Sequence, residues 1–175
     1  MNHIILIGFK HVGKSVIGRQ LAAELERPYR DLDEVIEQIH QLRNGAFQSC
    51  REIMNERGEK YFRDMEHEAL QQVLNEPPPA IIAVGGGTPL SIENQKLLRG
   101  HQLIHVTASK SKVYERIMVS GRPAFFPKGR NSYLAFNELW QERDLIYRQL
   151  CKVTVDNSRS LDTTVQTLKT FLMPG

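Results

Sequence analysis

The chain has 175 residues, 41% of them hydrophobic and 25% charged, the size of about one domain and the composition of a soluble protein rather than a disordered or fibrous one. Its 23 Lys and Arg against 20 Asp and Glu leave a net charge of +3, too small a surplus to argue for nucleic acid and suited to a site that holds anions. No run of about 18 apolar residues predicts a membrane span, and no leader pattern precedes Gly8.

In chain order, His3 to Ile7 reads as a strand buried on both faces, because it is continuously apolar and β-branched. Lys14 to Glu26 reads as a helix, then a short strand near Tyr29 to Leu32. Helices are predicted at Asp33 to Arg43, around Cys50 to Asn55, and from Glu59 to Leu74, the last stopped by Pro77, Pro78 and Pro79. Ala80 to Val84 is a second buried strand, closed by Gly85-Gly86-Gly87. A short helix near Ile92 to Leu98 leads to a strand at Gln102 to Val106, a helix at Ser109 to Val119, and a loop from Gly121 to Asn131. A long helix over Ser132 to Leu150, a strand at Val153 to Asp156 and a helix over Leu161 to Leu172 complete the pattern. Strands alternating with helices predict βαβ units and an α/β fold, a three-layer α/β/α sandwich on a parallel sheet. Cys50 and Cys151 have neither disulfide nor metal-ligand spacing and read as idle thiols.

The strongest chemical signal is Gly8-Phe9-Lys10-His11-Val12-Gly13-Lys14-Ser15, a G-x-x-x-x-G-K-S octet between a buried strand and a helix. Its glycines let the backbone wrap with N–H groups turned inward, and those donors with the helix N-terminus attract phosphate oxygens. In such a loop Lys14 reaches the β- and γ-phosphates and the Ser15 hydroxyl ligates Mg²⁺. A nucleoside triphosphate with magnesium is therefore expected. No N-K-x-D guanine reader is present, so a GTPase is disfavoured.

Asp31-Leu32-Asp33 ends the second strand, where ligands of a parallel sheet gather. One carboxylate near Mg²⁺ and one accepting a hydroxyl proton would suit a kinase. Helix capping by Asp31 or Asp33 explains the same pattern. On the next helix Glu66 falls on the apolar stripe of Phe62, Ala69 and Val73, one turn from Arg63. A surface pair from Glu59 to Arg63 is the simpler alternative. Gly85, Gly86 and Gly87 allow close approach of backbone to a ligand. Arg143 interrupts the helical stripe of Phe136, Trp140 and Tyr147, where it could clamp a carboxylate or simply lay its stem on Trp140. Arg122, in the Gly- and Pro-bounded loop with Pro123, Lys128 and Arg130, could close over the nucleotide.

Taken together and in order, the phosphate loop, Asp31-x-Asp33, Gly58-Glu59-x-x-Phe62-Arg63-x-x-Glu66, the triple glycine, Arg122-Pro123 and Glu142-Arg143-x-x-x-Tyr147 resemble the shikimate kinase family over nearly the whole chain. The resemblance implies a nucleoside-monophosphate-kinase-like P-loop fold on a five-stranded parallel sheet. It further implies a cytoplasmic monomer of one domain, with a substrate-binding segment at about 33–63 and a lid at about 120–132. The implied reaction moves the γ-phosphate of ATP to the 3-hydroxyl of shikimate on the route to aromatic amino acids. By position, Lys14, Asp33 and Arg122 would be catalytic, and Asp33, Arg63, Arg143 and the backbone of Gly85, Gly86 and Gly87 would bind shikimate. His11, Val12, Gly13, Lys14, Ser15, Val16, Arg116, Arg122 and Arg159 would bind ATP, and Ser15 and Asp31 would hold Mg²⁺. Two departures stand out. His11 occupies a position where the family commonly has glycine, so its φ must stay negative or the loop must bear a left-handed residue. Ala124, Phe125 and Phe126 follow Arg122-Pro123 where leucines are usual. A kinase for a gluconate-like polyol acid, or a catalytically silent nucleotide-binding module, are the alternative readings.

Overall fold

The computed structural model describes residues 2–120, 126, 129 and 131–173. Five parallel strands form its sheet: β1 (Ile4–Ile7), β2 (Tyr29–Asp31), β3 (Ile81–Ala83), β4 (Gln102–Thr107) and β5 (Val153–Asp156), in the order β2-β3-β1-β4-β5. β1 sits at the centre because all four of its side chains are apolar and buried, so both neighbours and both covering layers bury it. It pairs with β3 through Ile4–Ile81 to Leu6–Ala83 and with β4 through Ile4–Gln102 to Ile7–His105.

Among the described residues eight α-helices flank the strands: α1 (Lys14–Glu24), α2 (Leu32–Asn44), α3 (Cys50–Arg57), α4 (Glu59–Leu74), α5 (Ile92–Leu98), α6 (Lys110–Val119), α7 (Ser132–Leu150) and α8 (Leu161–Leu172). α1 packs on β3 and α8, whereas α2, α3 and α4 pack on one another beside β2. Starts are set by side-chain caps: Asp31 for α2, a Ser49–Glu52 capping box for α3, Asn131 for α7 and Ser160 for α8. The predicted elements all form, with ends shifted by one or two residues. α1 stops at Glu24 rather than Glu26, β2 gives way to α2 at Leu32, and a single 3₁₀ turn over Thr88–Leu90 follows the triple glycine.

The topology puts every strand's carboxyl end on one edge of the sheet. The order reverses there between β1, whose chain first runs outward to β2, and β4 on its other side, which opens a crevice for ligands. The phosphate loop leaves β1 at this edge, Asp31 ends β2, Gly85 follows β3, and Asn157 follows β5. The aromatic stripe of α7 is core: Phe136 and Tyr147 are buried, and Phe9 of the phosphate loop meets Phe136 edge-on at 5.5 Å and Trp140 at 5.2 Å. Phe126 is buried in the same core. Arg122, Pro123, Ala124, Phe125, Lys128 and Arg130 lie outside the described residues.

Candidate active site

The phosphate loop is shaped by two glycines that no residue with a side chain could replace. A Cβ on Gly8, whose φ is +145°, would stand 2.2 Å from the Val106 carbonyl oxygen, and one on Gly13, at φ +101°, would stand 2.4 Å from the Asn157 amide nitrogen. His11 adopts φ 64°, so the loop does bear a left-handed non-glycine residue, at a cost of about 1 kcal/mol. Its carbonyl accepts a hydrogen bond from Arg116 Nη1 at 3.0 Å. Burial and the surrounding charges of Lys10, Lys14 and Arg116 push the His11 imidazole below its ordinary pKa, so it is neutral at pH 7.

Lys14 is buried at the start of α1, with Nζ donating to the carbonyls of Gly8 at 2.9 Å and Phe9 at 2.8 Å. Burial lowers its pKa to about 8, against the pull of Asp33 and Asp31. Val12 is buried, while the side chain of Val16 points to solvent, leaving only its backbone for a ligand. Asp31 accepts from the Asp33 amide as the cap of α2 and from the Tyr29 hydroxyl at 2.9 Å. The Ser15 side chain is near enough to the same Tyr29 hydroxyl to pull its pKa down against the larger effect of burial. Ser15 and Asp31 thus share one spot beside the loop. A hydroxyl and a carboxylate are hard oxygen donors, the set Mg²⁺ uses when phosphates complete its shell, so these residues fit that ion.

Asp33 is one residue into α2 and opens on the cleft. Capping falls to Asp31, and among the described residues the Asp33 carboxyl makes no hydrogen bond or ion pair. Crowding by protein, then Asp31, raises its pKa to about 6, with Lys14 opposing and Glu66 adding to the rise. The Cys50 thiol donates to the Asp33 carbonyl at 3.5 Å, and burial first, then the neighbouring acids, pushes that thiol far up, so it is protonated and unreactive.

Across the cleft, Arg63 Nη1 donates to Glu66 at 2.9 Å, and Glu66 is buried with Thr88 Oγ1 donating to its other oxygen at 2.8 Å. The simpler pair from Glu59 to Arg63 exists too, but at 3.7 Å. The triple glycine lies between the two halves. A Cβ on Gly87 would fall 2.4 Å from Arg63 Nη1, one on Gly85 3.3 Å from an Asp33 oxygen, and one on Gly86 3.3 Å from the Lys10 amide nitrogen. Arg143 is buried with its guanidinium 5.3 Å over the Phe9 ring. Tyr147, one turn on, donates from its hydroxyl to the Gly86 carbonyl at 2.5 Å. Burial raises the Tyr147 pKa, and the nearby charges of Arg143 and Arg63 work against the rise.

Lys14, Asp31, Asp33, Arg63, Gly85, Gly86, Gly87 and Arg143 therefore converge on one crevice. A model of the shikimate kinase family matches residues 10–172. The chain belongs to the shikimate kinase family. A shikimate kinase of Flavobacterium johnsoniae is 34% identical over 98% of this chain and 99% of its own. A shikimate kinase structure from Aquifex aeolicus has a TM-score of 0.74 at 26% identity, covering 97% of this chain and 95% of its own. One from Acinetobacter baumannii in complex with shikimate reaches 0.83 at 23% identity over 98% and 93%, a likeness of fold. Among family-implied positions, Arg159 is exposed in the turn before α8, and Arg122 lies outside the described residues. Sequence reasoning missed Tyr29, Thr88 and Asn157. Thr88 and Asn157 act through partners distant in sequence, and the Tyr29 hydroxyl meets Asp31 within its own strand, contacts that no periodicity or motif signals.

Proposed function

We propose that the chain transfers the γ-phosphoryl group of ATP to the 3-hydroxyl of shikimate. The observation that carries this reading is Asp33, a carboxylate with no ion pair among the described residues, within electrostatic reach of the phosphate-loop Lys14 and beside the triple glycine whose far end meets the Arg63 guanidinium. Arg63 and Arg143 hold the substrate carboxylate, and the Gly86 backbone meets the ring. That places a ring hydroxyl at Asp33. Asp33 accepts the hydroxyl proton as the alcohol oxygen attacks the γ-phosphorus in line, and ADP leaves. A carboxyl with a pKa near 6 is a better base than an ordinary one and is still ionised at pH 7. Lys14 and the loop amides bind the charge that spreads over the phosphoryl oxygens. Ser15 and Asp31 would hold Mg²⁺, which when bound would neutralise phosphate charge. Arg122 and Arg159 complete the nucleotide side in this reading, which also takes the enzyme as a cytoplasmic monomer with its substrate segment at about 33–63. No helix among the described residues is long and apolar enough to cross a membrane.

The test is ADP release coupled to NADH oxidation, with and without shikimate and with gluconate as a comparison acceptor. Shikimate-dependent turnover well above background ATPase is expected. Turnover with gluconate, or none with either, would refute the assignment.

A further inference from the structure

Two successive carbonyls of the phosphate loop are held by side chains from the segments that follow β4 and β5. Arg116 of α6 donates to His11 O at 3.0 Å, and Asn157 of the turn after β5 donates from Nδ2 to Val12 O at 2.9 Å. A backbone carbonyl only accepts, so the group of Asn157 facing Val12 must be its NH₂. Asn157 is itself fixed: its backbone N–H donates to Thr107 O at 2.8 Å, and Thr164 Oγ1 reaches its Oδ1 at 3.2 Å. The Nδ2 atom also stands where a side chain on Gly13 would be.

A trans peptide is planar, with the C=O of one residue and the N–H of the next pointing opposite ways. Turning His11 O toward Arg116 aims the Val12 N–H the other way, and turning Val12 O toward Asn157 does the same for Gly13. Left alone, His11 has reason to rotate, because its φ of 64° is costly for a residue with a Cβ. We propose that Asn157 and Arg116 are positioning residues, holding two peptide planes so that the Val12 and Gly13 amides face the nucleotide's phosphates. The inference rests on the phosphate-loop part of the proposed function and adds the device that keeps the loop ready to bind.

Asn157→Ala and Asn157→Leu test it, since both are neutral and leave the charge of the site alone. Binding of ADP and of tripolyphosphate, which has no base, is measured by calorimetry. KM for ATP and for shikimate comes from turnover, and thermal unfolding checks the fold. Loss of one hydrogen bond in a binding loop corresponds to about a tenfold weaker Kd, ~1.4 kcal/mol. That loss is expected for both ligands with Asn157→Ala. More is expected with Asn157→Leu, which keeps water from replacing the donor. KM for shikimate should stay within about twofold. Arg116→Lys, which keeps the charge and loses the fork, should weaken tripolyphosphate and ADP in the same proportion. Folded Asn157 variants that bind both ligands as the parent does would overturn the proposal. So would loss of ADP alone, which would assign both residues to the base. A parent that binds neither ligand would instead refute the phosphate-site reading beneath it.

Discussion

Gly87→Ala is the sharpest probe of the acceptor half. Gly87 has φ −88° and ψ −22°, a conformation alanine adopts without strain, so the backbone has no objection. The objection is steric and aimed at one group: the new methyl would lie 2.4 Å from Arg63 Nη1, 2.6 Å from Nη2 and 2.8 Å from Cζ. Ordinary contact begins at about 3.5 Å, so the guanidinium must retreat by about 1 Å. It can do so cheaply, because it is the end of a long side chain that is a third exposed, and stability should fall by no more than about 1 kcal/mol. Substrate positioning is less forgiving. Misplacing a bidentate clamp by about 1 Å costs on the order of 10²-fold. The coupled assay should show that loss in kcat/KM for shikimate, while calorimetry gives an unchanged Kd for ADP. Unchanged kcat/KM in the folded variant would mean that Arg63 does not touch the acceptor. Weakened ADP binding would mean that the triple glycine serves the nucleotide instead.

Asp33→Asn should keep ADP affinity and lower kcat by at least about 10²-fold. The parent's turnover should fall as the pH drops through about 6, where the Asp33 carboxyl takes up a proton. The same shift sets a stability prediction: a carboxyl whose folded pKa lies above its ordinary value destabilises the fold when ionised, a penalty that appears as pH rises from about 4 to about 6. Asn removes it, so thermal melts should favour Asp33→Asn at pH 7 and show near equality at pH 4. A variant no more stable at pH 7 would show that solvent in the cleft carries the charge without cost. Gly18→Ala should destabilise by about 1 kcal/mol in urea melts: alanine is the better helix former, but its methyl would stand 2.6 Å from the Tyr29 ring, itself pinned by Asp31 and stacked under Arg19. A gain in stability would show that Tyr29 is free to move.

The elements most legible in sequence were those whose cause is local. β1 declares itself because Ile4-Ile5-Leu6-Ile7 has no polar side chain to offer water, and α7 because Phe136, Trp140, Arg143 and Tyr147 repeat at helical spacing. The competition between capping and catalysis at Asp31 and Asp33 could not be settled from spacing. It depends on which carboxylate reaches an amide, and the chain assigns the cap to Asp31. Glu34, in the first turn of α2, pairs with Arg19 of α1. His11 was legible as a departure but not as an outcome: a Cβ opposes the left-handed region, and only Arg116, more than 100 residues on, shows what holds it there. Tyr29 and Asn157 follow the same rule, since their importance lies in where β2 and β5 end beside the phosphate loop.

Charge placement explains why the two halves of the crevice need not neutralise each other. Arg63 is balanced by buried Glu66, so its guanidinium adds hydrogen-bond donors to the acceptor side but little net charge. Arg143 lies over the Phe9 ring, and in the proposed function it joins Arg63 in holding the acceptor's carboxylate. On the other side Lys14 is held by two carbonyls and by no carboxylate at salt-bridging distance among the described residues, so its charge remains available to phosphate. Asp33 likewise forms no ion pair among those residues, and an acid clamped by a cation would be too weak a base to take a proton. Phe9 belongs to both halves, lying in the phosphate loop and under Arg143. A shift of that loop therefore moves the floor beneath the acceptor's cation.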